Sequence, residues 1–244
     1  MTLNISLFIL IFAIAIVYSI VGHGGASGYI AALILFSIPM GDVRLYALLL
    51  NLLVSGIAFY SFYKARHFKF KLLWPFVLAS IPFAYLGGTI SIDQYLLQVL
   101  IAIALLIAAA QMVFRRKETR NIELRKISVG AAFPVGAGIG FVSGLLGIGG
   151  GIILSPILIL FRWADAKTTA SISAAFIFLN SVAGLAGQLK TGSHISPNFG
   201  TYALIALLGG FIGSSIGSNR LSVYHLKVAL SIVLVVASFK LLMS

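Results

Sequence analysis

Gly22-His23-Gly24-Gly25-Ala26-Ser27-Gly28, together with its counterpart Gly147-Ile148-Gly149-Gly150-Gly151, decides how this chain folds. Each cluster lies inside an apolar run long enough to cross a bilayer, at a point where a helix would otherwise continue. Glycine costs a helix interior ~1 kcal/mol per residue relative to alanine, so three or four together end the helix. Backbone freed at membrane depth is tolerated only when buried in protein or lining a wet cavity. One such break in each half of the chain is the pattern of a transporter whose discontinuous helices meet at a midplane site.

The composition agrees. With 60% apolar and 9% charged residues and a mean hydropathy of +1.10, the chain is far from a soluble domain, in which about a quarter of residues are charged. Its apolar runs are continuous and recur along the whole length, which predicts an all-α, polytopic protein of the cell membrane. A membrane β-barrel would instead alternate over segments of about ten residues. The net charge of +12 does not point to nucleic acid. The basic residues gather in two short loops, Lys64 to Lys71 and Arg115 to Lys126, which belong on the cytoplasmic side facing anionic lipid. The absence of cysteine removes disulfides, thiolate metal sites and thiol chemistry. Met1-Thr2-Leu3-Asn4 lacks the positive start of a signal peptide, so the first run is expected to remain as a helix.

Full spans are predicted over residues 3–21, 43–63, 72–90, 95–114, 128–146, 168–189, 202–216 and 224–243, with short helices at 27–38 and 151–161. Met40-Gly41-Asp42 reads as a turn. Gly136, Gly138, Gly140 and Gly144 mark close helix contacts. Sliding the chain by about 125 to 129 positions superimposes its halves. Gly22-x-Gly24-Gly25 falls on Gly147-x-Gly149-Gly150, and Asn51-x-x-x-Ser55 on Asn180-x-x-x-Gly184. Leu86-Gly87-Gly88-Thr89-Ile90 falls on Ile212-Gly213-Ser214-Ser215-Ile216. The organisation expected is an N-terminal repeat over residues 1–114, a basic cytoplasmic loop over 115–127 and a C-terminal repeat over 128–244. If each short helix turns back toward its starting side, the repeats are inverted and both termini lie outside. Most basic residues then fall in the cytoplasm, with only Arg44, Lys190 and Lys240 outside, as the positive-inside rule prefers.

In that arrangement the breaks approach each other near the midplane. Each short helix begins there with free N–H groups and roughly half a positive charge, a ready site for a small anion. Lysine and arginine are scarce at this depth, so backbone donors form the expected positive end, approached through Gly22, Gly24, Gly25, Gly147, Gly149, Gly150 and Gly151. Close packing is the other reading of such glycines. His23 is the one ionisable side chain inside a break. It suits proton coupling, or it bonds a backbone carbonyl; its counterpart is Ile148. Asn51 and Asn180 sit at matching places, to contact the anion or to tie helices together. Ser27, Ser55, Ser155, Thr169, Ser171, Ser173 and Gln188 add hydroxyl or amide groups, and Trp74 and Trp163 read as interface anchors. With five acidic residues in all, three of them expected in loops (Asp42, Asp93 and Asp165), no metal site is expected.

The stretch Gly144-Leu-Leu-Gly-Ile-Gly-Gly-Gly-Ile-Ile-Leu-Ser-Pro156, followed by Ala166-Lys-Thr-Thr-Ala-Ser-Ile-Ser173 and Asn180, resembles the sulfite exporter TauE/SafE family. The resemblance extends over essentially the whole chain. It implies a transporter of small sulfur-containing or organic anions such as sulfite, thiosulfate or sulfonates. The first half departs from the fuller glycine motif, with His23 at a position where members of the family vary. Expected partners are the small anion and membrane lipid, with assembly into a homo-oligomer left open and no nucleic acid or cofactor. Two rival readings remain. One is a passive anion channel lined by glycine. The other is an intramembrane protease of the rhomboid kind built on Gly25-Ala26-Ser27-Gly28, which needs a histidine base beside Ser27. The remaining histidines, His67, His194 and His225, stand in loops or at a helix end, so the chain is not expected to be an enzyme.

Overall fold

In lipid a backbone must satisfy its own hydrogen bonds, and a helix does so within one segment. The computed structural model describes residues 5–114, 124–125, 127–190, 199–219 and 224–243, and these form ten helices and no strand. In order they are α1 (Ile5–Ile20), α2 (Ala26–Leu35), α3 (Met40–Lys64), α4 (Phe70–Thr89), α5 (Gln94–Phe114), α6 (Val129–Leu146), α7 (Gly151–Leu160), α8 (Ala166–Leu189), α9 (Phe199–Asn219) and α10 (Tyr224–Met243). Helices α3, α4, α6, α8 and α9 are long and apolar enough to cross a membrane. By contrast α2 and α7 have ten residues each, about 15 Å at 1.5 Å per residue, or half the hydrocarbon core.

The expected turn at Met40-Gly41-Asp42 is instead the first turn of α3. Nor is Asp165 a mere loop residue. It caps α8, accepting from the Thr168 N–H at 2.8 Å and the Thr168 hydroxyl at 3.0 Å. Asp93 does the same for α5, accepting from the N–H groups of Tyr95 (2.9 Å) and Leu96 (3.2 Å), as short carboxylates at helix starts do. Most of the basic loop expected at 115–127, the polar loop beyond Lys190 with His194, and Arg220 lie outside the described residues, as do the side chains of His225 and Lys227.

Two glycine ladders set the helix spacing. On α6, a Cβ at Gly136, Gly140 or Gly144 would collide with the backbone of Phe76, Ser80 or Ala84 on α4. On α9, Gly209, Gly213 and Gly217 meet the backbone of Phe12, Ile16 and Ile20 on α1 in the same way. Residue numbers rise together in both, so each pair is parallel. Gly138, expected to share the α6 contact, has no neighbour within 4 Å. Helix α4 also packs on α8, and α9 on α3. The central pair α3 and α8 runs antiparallel, with Leu48 beside Gly184, Asn51 bonded to Ser181 and Gly56 beside Phe178. The short helix α2 folds back along α3 and is buried along almost its whole length. Lys240 of α10 closes its end, donating to the carbonyls of Ile34 (2.9 Å) and Leu35 (3.1 Å) and the Ser37 hydroxyl (3.0 Å), where a helix terminus attracts a cation. Helix α7 packs mainly on α8 and leaves Leu160 exposed.

The ladders make a direct prediction. Gly144→Leu forces α4 and α6 apart and should destabilise the protein by more than ~2 kcal/mol, the scale of an overpacked core. Gly138→Ala should be neutral or stabilising by up to ~1 kcal/mol. Thermal unfolding in detergent distinguishes them, and equal melting temperatures for the two variants would refute the packing argument.

Candidate functional site

Both breaks open with the same turn. At the end of α1, the Gly22 N–H donates to the Ser19 carbonyl at 3.1 Å and the His23 N–H to the Tyr18 carbonyl at 2.9 Å. At the end of α6, the N–H groups of Gly147 (2.9 Å) and Ile148 (3.2 Å) both donate to the Ser143 carbonyl. Gly22 (φ 73°) and Gly147 (φ 76°) take the left-handed conformation that this kind of helix end requires. Gly25, Gly149 and Gly150 are left-handed as well, and with them the chain turns back into α2 and α7. The consecutive glycines are therefore conformational necessities, whatever else they do.

The breaks converge on one side chain. Asn51, buried at the middle of α3, accepts the Ala26 N–H on its Oδ1 at 3.1 Å and donates from Nδ2 to the Ser181 hydroxyl at 2.9 Å. A Cβ on Gly24 would collide with the oxygen of this amide, and one on Gly149 with its nitrogen. Asn51 is thus wedged between the two breaks and caps the start of α2. Asn180 is not its equivalent. It donates to the Phe176 carbonyl of its own helix at 2.8 Å, and its Oδ1 is buried without a partner. A Cβ on Gly22 would collide with the Ala170 backbone, whereas one on Gly147 would only touch that of Arg44, and both Gly24 and Gly149 face Asn51, with Ile177 and Ser181 also beside Gly149.

His23 ties break one to the start of α7. Its Nδ1 lies 3.0 Å from the Val21 carbonyl, and its Nε2 lies 3.2 Å from the Gly151 carbonyl and 3.1 Å from the Ser155 hydroxyl. Ser155 continues to Ser173 on α8 at 2.7 Å. A neutral imidazole donates from one nitrogen only, whereas here a carbonyl faces each. Ser27 lies apart from this chain, its hydroxyl 2.7 Å from the Tyr18 hydroxyl. Among the described residues the partner of Ser27 is thus a tyrosine, where the protease reading needs a histidine. Ser55 bonds the Leu52 carbonyl of its own helix.

At the start of α7 the first backbone bonds are those of Ile153 and Leu154 to the Gly150 carbonyl. The N–H groups of Gly151 and Ile152 are left facing the break, as at any helix start. Around the breaks, the hydroxyls of Tyr29, Ser143, Thr169 and Ser171 are buried without partners. Orphaned buried groups of this kind call for a bound solute, water or a second conformation. Between the breaks runs a crevice lined on one side by His23, Gly24 and Asn51 and on the other by Ile148, Ile152 and Ile177, too narrow for a water-sized sphere. Among the described residues no aspartate or glutamate is buried.

Sequence reasoning put Arg44 at the outer end of a span and gave it no role. It is instead buried, 9% exposed, because α3 begins earlier than expected and carries its second turn beneath break two. Ser181, the partner of Asn51, also went unnoticed; one serine among many carries no signal of its own.

The family model for the sulfite exporter TauE/SafE family matches residues 7–241. The protein named probable membrane transporter protein y4hK of Sinorhizobium fredii is 38% identical over 242 residues, 98% of each chain. Probable membrane transporter protein MJ0441 of Methanocaldococcus jannaschii is 30% identical over 245 residues, 91% of this chain and 89% of that one. No solved structure matches the chain. An apolar helical bundle, five membrane-length helices and a match along nearly its whole length lead to one conclusion: this chain is a multi-pass membrane transporter and belongs to the sulfite exporter TauE/SafE family.

Proposed function

We propose that the protein is a secondary transporter of a small anion (sulfite, thiosulfate, a sulfonate or a related organic anion) held where the two glycine breaks converge. The observation that carries this reading is the position of Asn51 between Gly24 and Gly149, which brings both breaks to one point at the middle of the bundle. Helix-start donors and hydroxyls surround that point and, among the described residues, no carboxylate does, a chemistry that favours a negatively charged solute. The narrow crevice supports an alternating carrier caught closed rather than a continuously open channel.

The directions of the helices support inverted repeats. Helix α9 runs parallel to α1 through its glycine ladder, and parallel to α3, as Tyr46 beside Tyr202, Val54 beside Gly210 and Ser61 beside Ser214 indicate. Hence α1 and α3 point the same way, and α2 between them is re-entrant. Helix α8 opposes α3, and α6 follows α4, which the short 65–69 turn makes antiparallel to α3. The second half thus reverses the first, the architecture in which rocking of one repeat against the other opens a fixed site to each side in turn.

Proton coupling falls to His23. Its Nδ1 donates to the Val21 carbonyl, while Nε2 has both the Ser155 hydroxyl, a donor to the neutral ring, and the Gly151 carbonyl, an acceptor for the protonated one, so the ring keeps partners in either state.

Two tests follow. Asn51→Leu, which keeps the volume and removes both hydrogen bonds, and Gly24→Leu should each lower anion uptake into proteoliposomes at least about tenfold, a loss of 1.4 kcal/mol or more, with normal membrane insertion. Uptake at the wild-type rate in either variant would remove the breaks from the substrate path. His23→Ala should flatten the pH dependence of anion uptake measured in the wild type. An unaltered profile would take His23 out of the coupling. A thermal-shift screen against sulfite, thiosulfate, sulfate, sulfoacetate and small carboxylates, followed by liposome flux, identifies the anion.

A further inference from the structure

We propose that Arg44 is a substrate-binding residue, the fixed positive charge that the transported anion neutralises. The guanidinium lies against the last turn of α6, where Nη2 donates to the Gly144 carbonyl at 3.3 Å, and Nε is buried with no partner. That carbonyl is available because the Gly147 N–H donates one residue further back, to Ser143, unlike its counterpart Gly22, which donates to Ser19. Arginine remains charged in proteins. A buried charge needs a counter-ion or a full set of hydrogen bonds, and one long bond from Nη2 with Nε buried and unpartnered is not a full set, although Nη1 is not buried without a partner. No carboxylate among the described residues supplies the missing charge: Asp42 is two residues away but forms no ion pair, and Asp93 and Asp165 cap distant helix starts.

Position connects this charge to the crevice. Gly147 lies directly on the Arg44 backbone, and Ile148, the next residue, lines the crevice. Asn51 is seven residues further along the same helix, about 10 Å. Break two therefore spans from the guanidinium to the amide, and an anion passing along it leaves one as it reaches the other. A fork of planar donors suits the oxygens of a tetrahedral or carboxylate anion.

The inference rests on the small-anion reading above, and one set of measurements separates the two. Purified wild-type protein is titrated with sulfite, thiosulfate and acetate while its melting temperature is followed; no response to any of them would sink the anion reading itself. Given a response, Arg44→Gln, which keeps a donor for the Gly144 carbonyl and removes the charge, should raise the apparent Kd at least tenfold. Arg44→Lys should weaken binding less. An unchanged Kd in Arg44→Gln would make Arg44 a helix cap and nothing more. Should that variant not fold, the cysteine-free chain permits Arg44→Cys, modified with either an aminoethyl or a methyl thiosulfonate. Recovery of anion uptake with the aminoethyl group alone is expected. Equal recovery with the methyl group, or none with either, would overturn the assignment.

Discussion

Two places where a helix stops inside the bilayer govern the rest of this structure. Unpaired backbone cannot face lipid, so the surrounding helices are arranged to enclose it. The central pair α3 and α8 supplies the enclosure: Asn51 fills the gap between the breaks, Ala170 and Arg44 back Gly22 and Gly147, and Phe176 and Ile177 close over Gly149 to Gly151. The amide of Asn51 suits its place because it carries both a donor and an acceptor. It gives the acceptor to α2 and the donor to α8, so one side chain fixes the depth of the first break and links it to the second half.

The enclosure is rigid in some parts and loose in others. Where α4 meets α6 and α1 meets α9, backbone lies on backbone, and such contacts leave little freedom to slide. Interestingly, the glycines are on α6 in one pair and on α9 in the other, so the same close approach is reached from opposite partners. The short helices differ more. Helix α2 is buried against α3, α5 and α10 and pinned by Lys240. Helix α7 is held mainly by α8 and by the chain from His23 through Ser155 to Ser173, and its end is open. If one re-entrant segment moves to admit a solute, the weaker packing is around α7.

Much of this was legible in the sequence, and the misses have a common cause. Consecutive glycines within apolar runs identify the breaks because backbone conformation is a local property. Span lengths are legible for the same reason. What failed was whatever depends on how one helix lies against another. Asn51 and Asn180 align at an offset of 129, yet Asn51 bonds across to α2 and α8 while Asn180 bonds within its own helix, a difference that residue type and spacing do not carry. Arg44 stands just past a predicted turn, where a linear hydropathy reading puts charges in water. Only the re-entrant path of break two brings α6 over it. Gly138 shows the converse error, a glycine in a small-residue run that faces no helix at all.

The two breaks divide their labour unequally. His23 of the first stands where the second has Ile148, and Asn51 of α3 bridges the breaks while Asn180 of α8 bonds within its own helix. The glycine turn recurs in both halves, while the imidazole and the bridging amide come from the first half and the hydroxyls of Ser155, Ser173 and Ser181 that bond them come from the second. A physical reason is available. On the small-anion reading proposed above, one site between the halves takes a single solute, and a second buried arginine would add a charge that one small anion could not neutralise as well. Backbone geometry costs nothing to repeat, because each glycine turn satisfies itself; a buried charge does not.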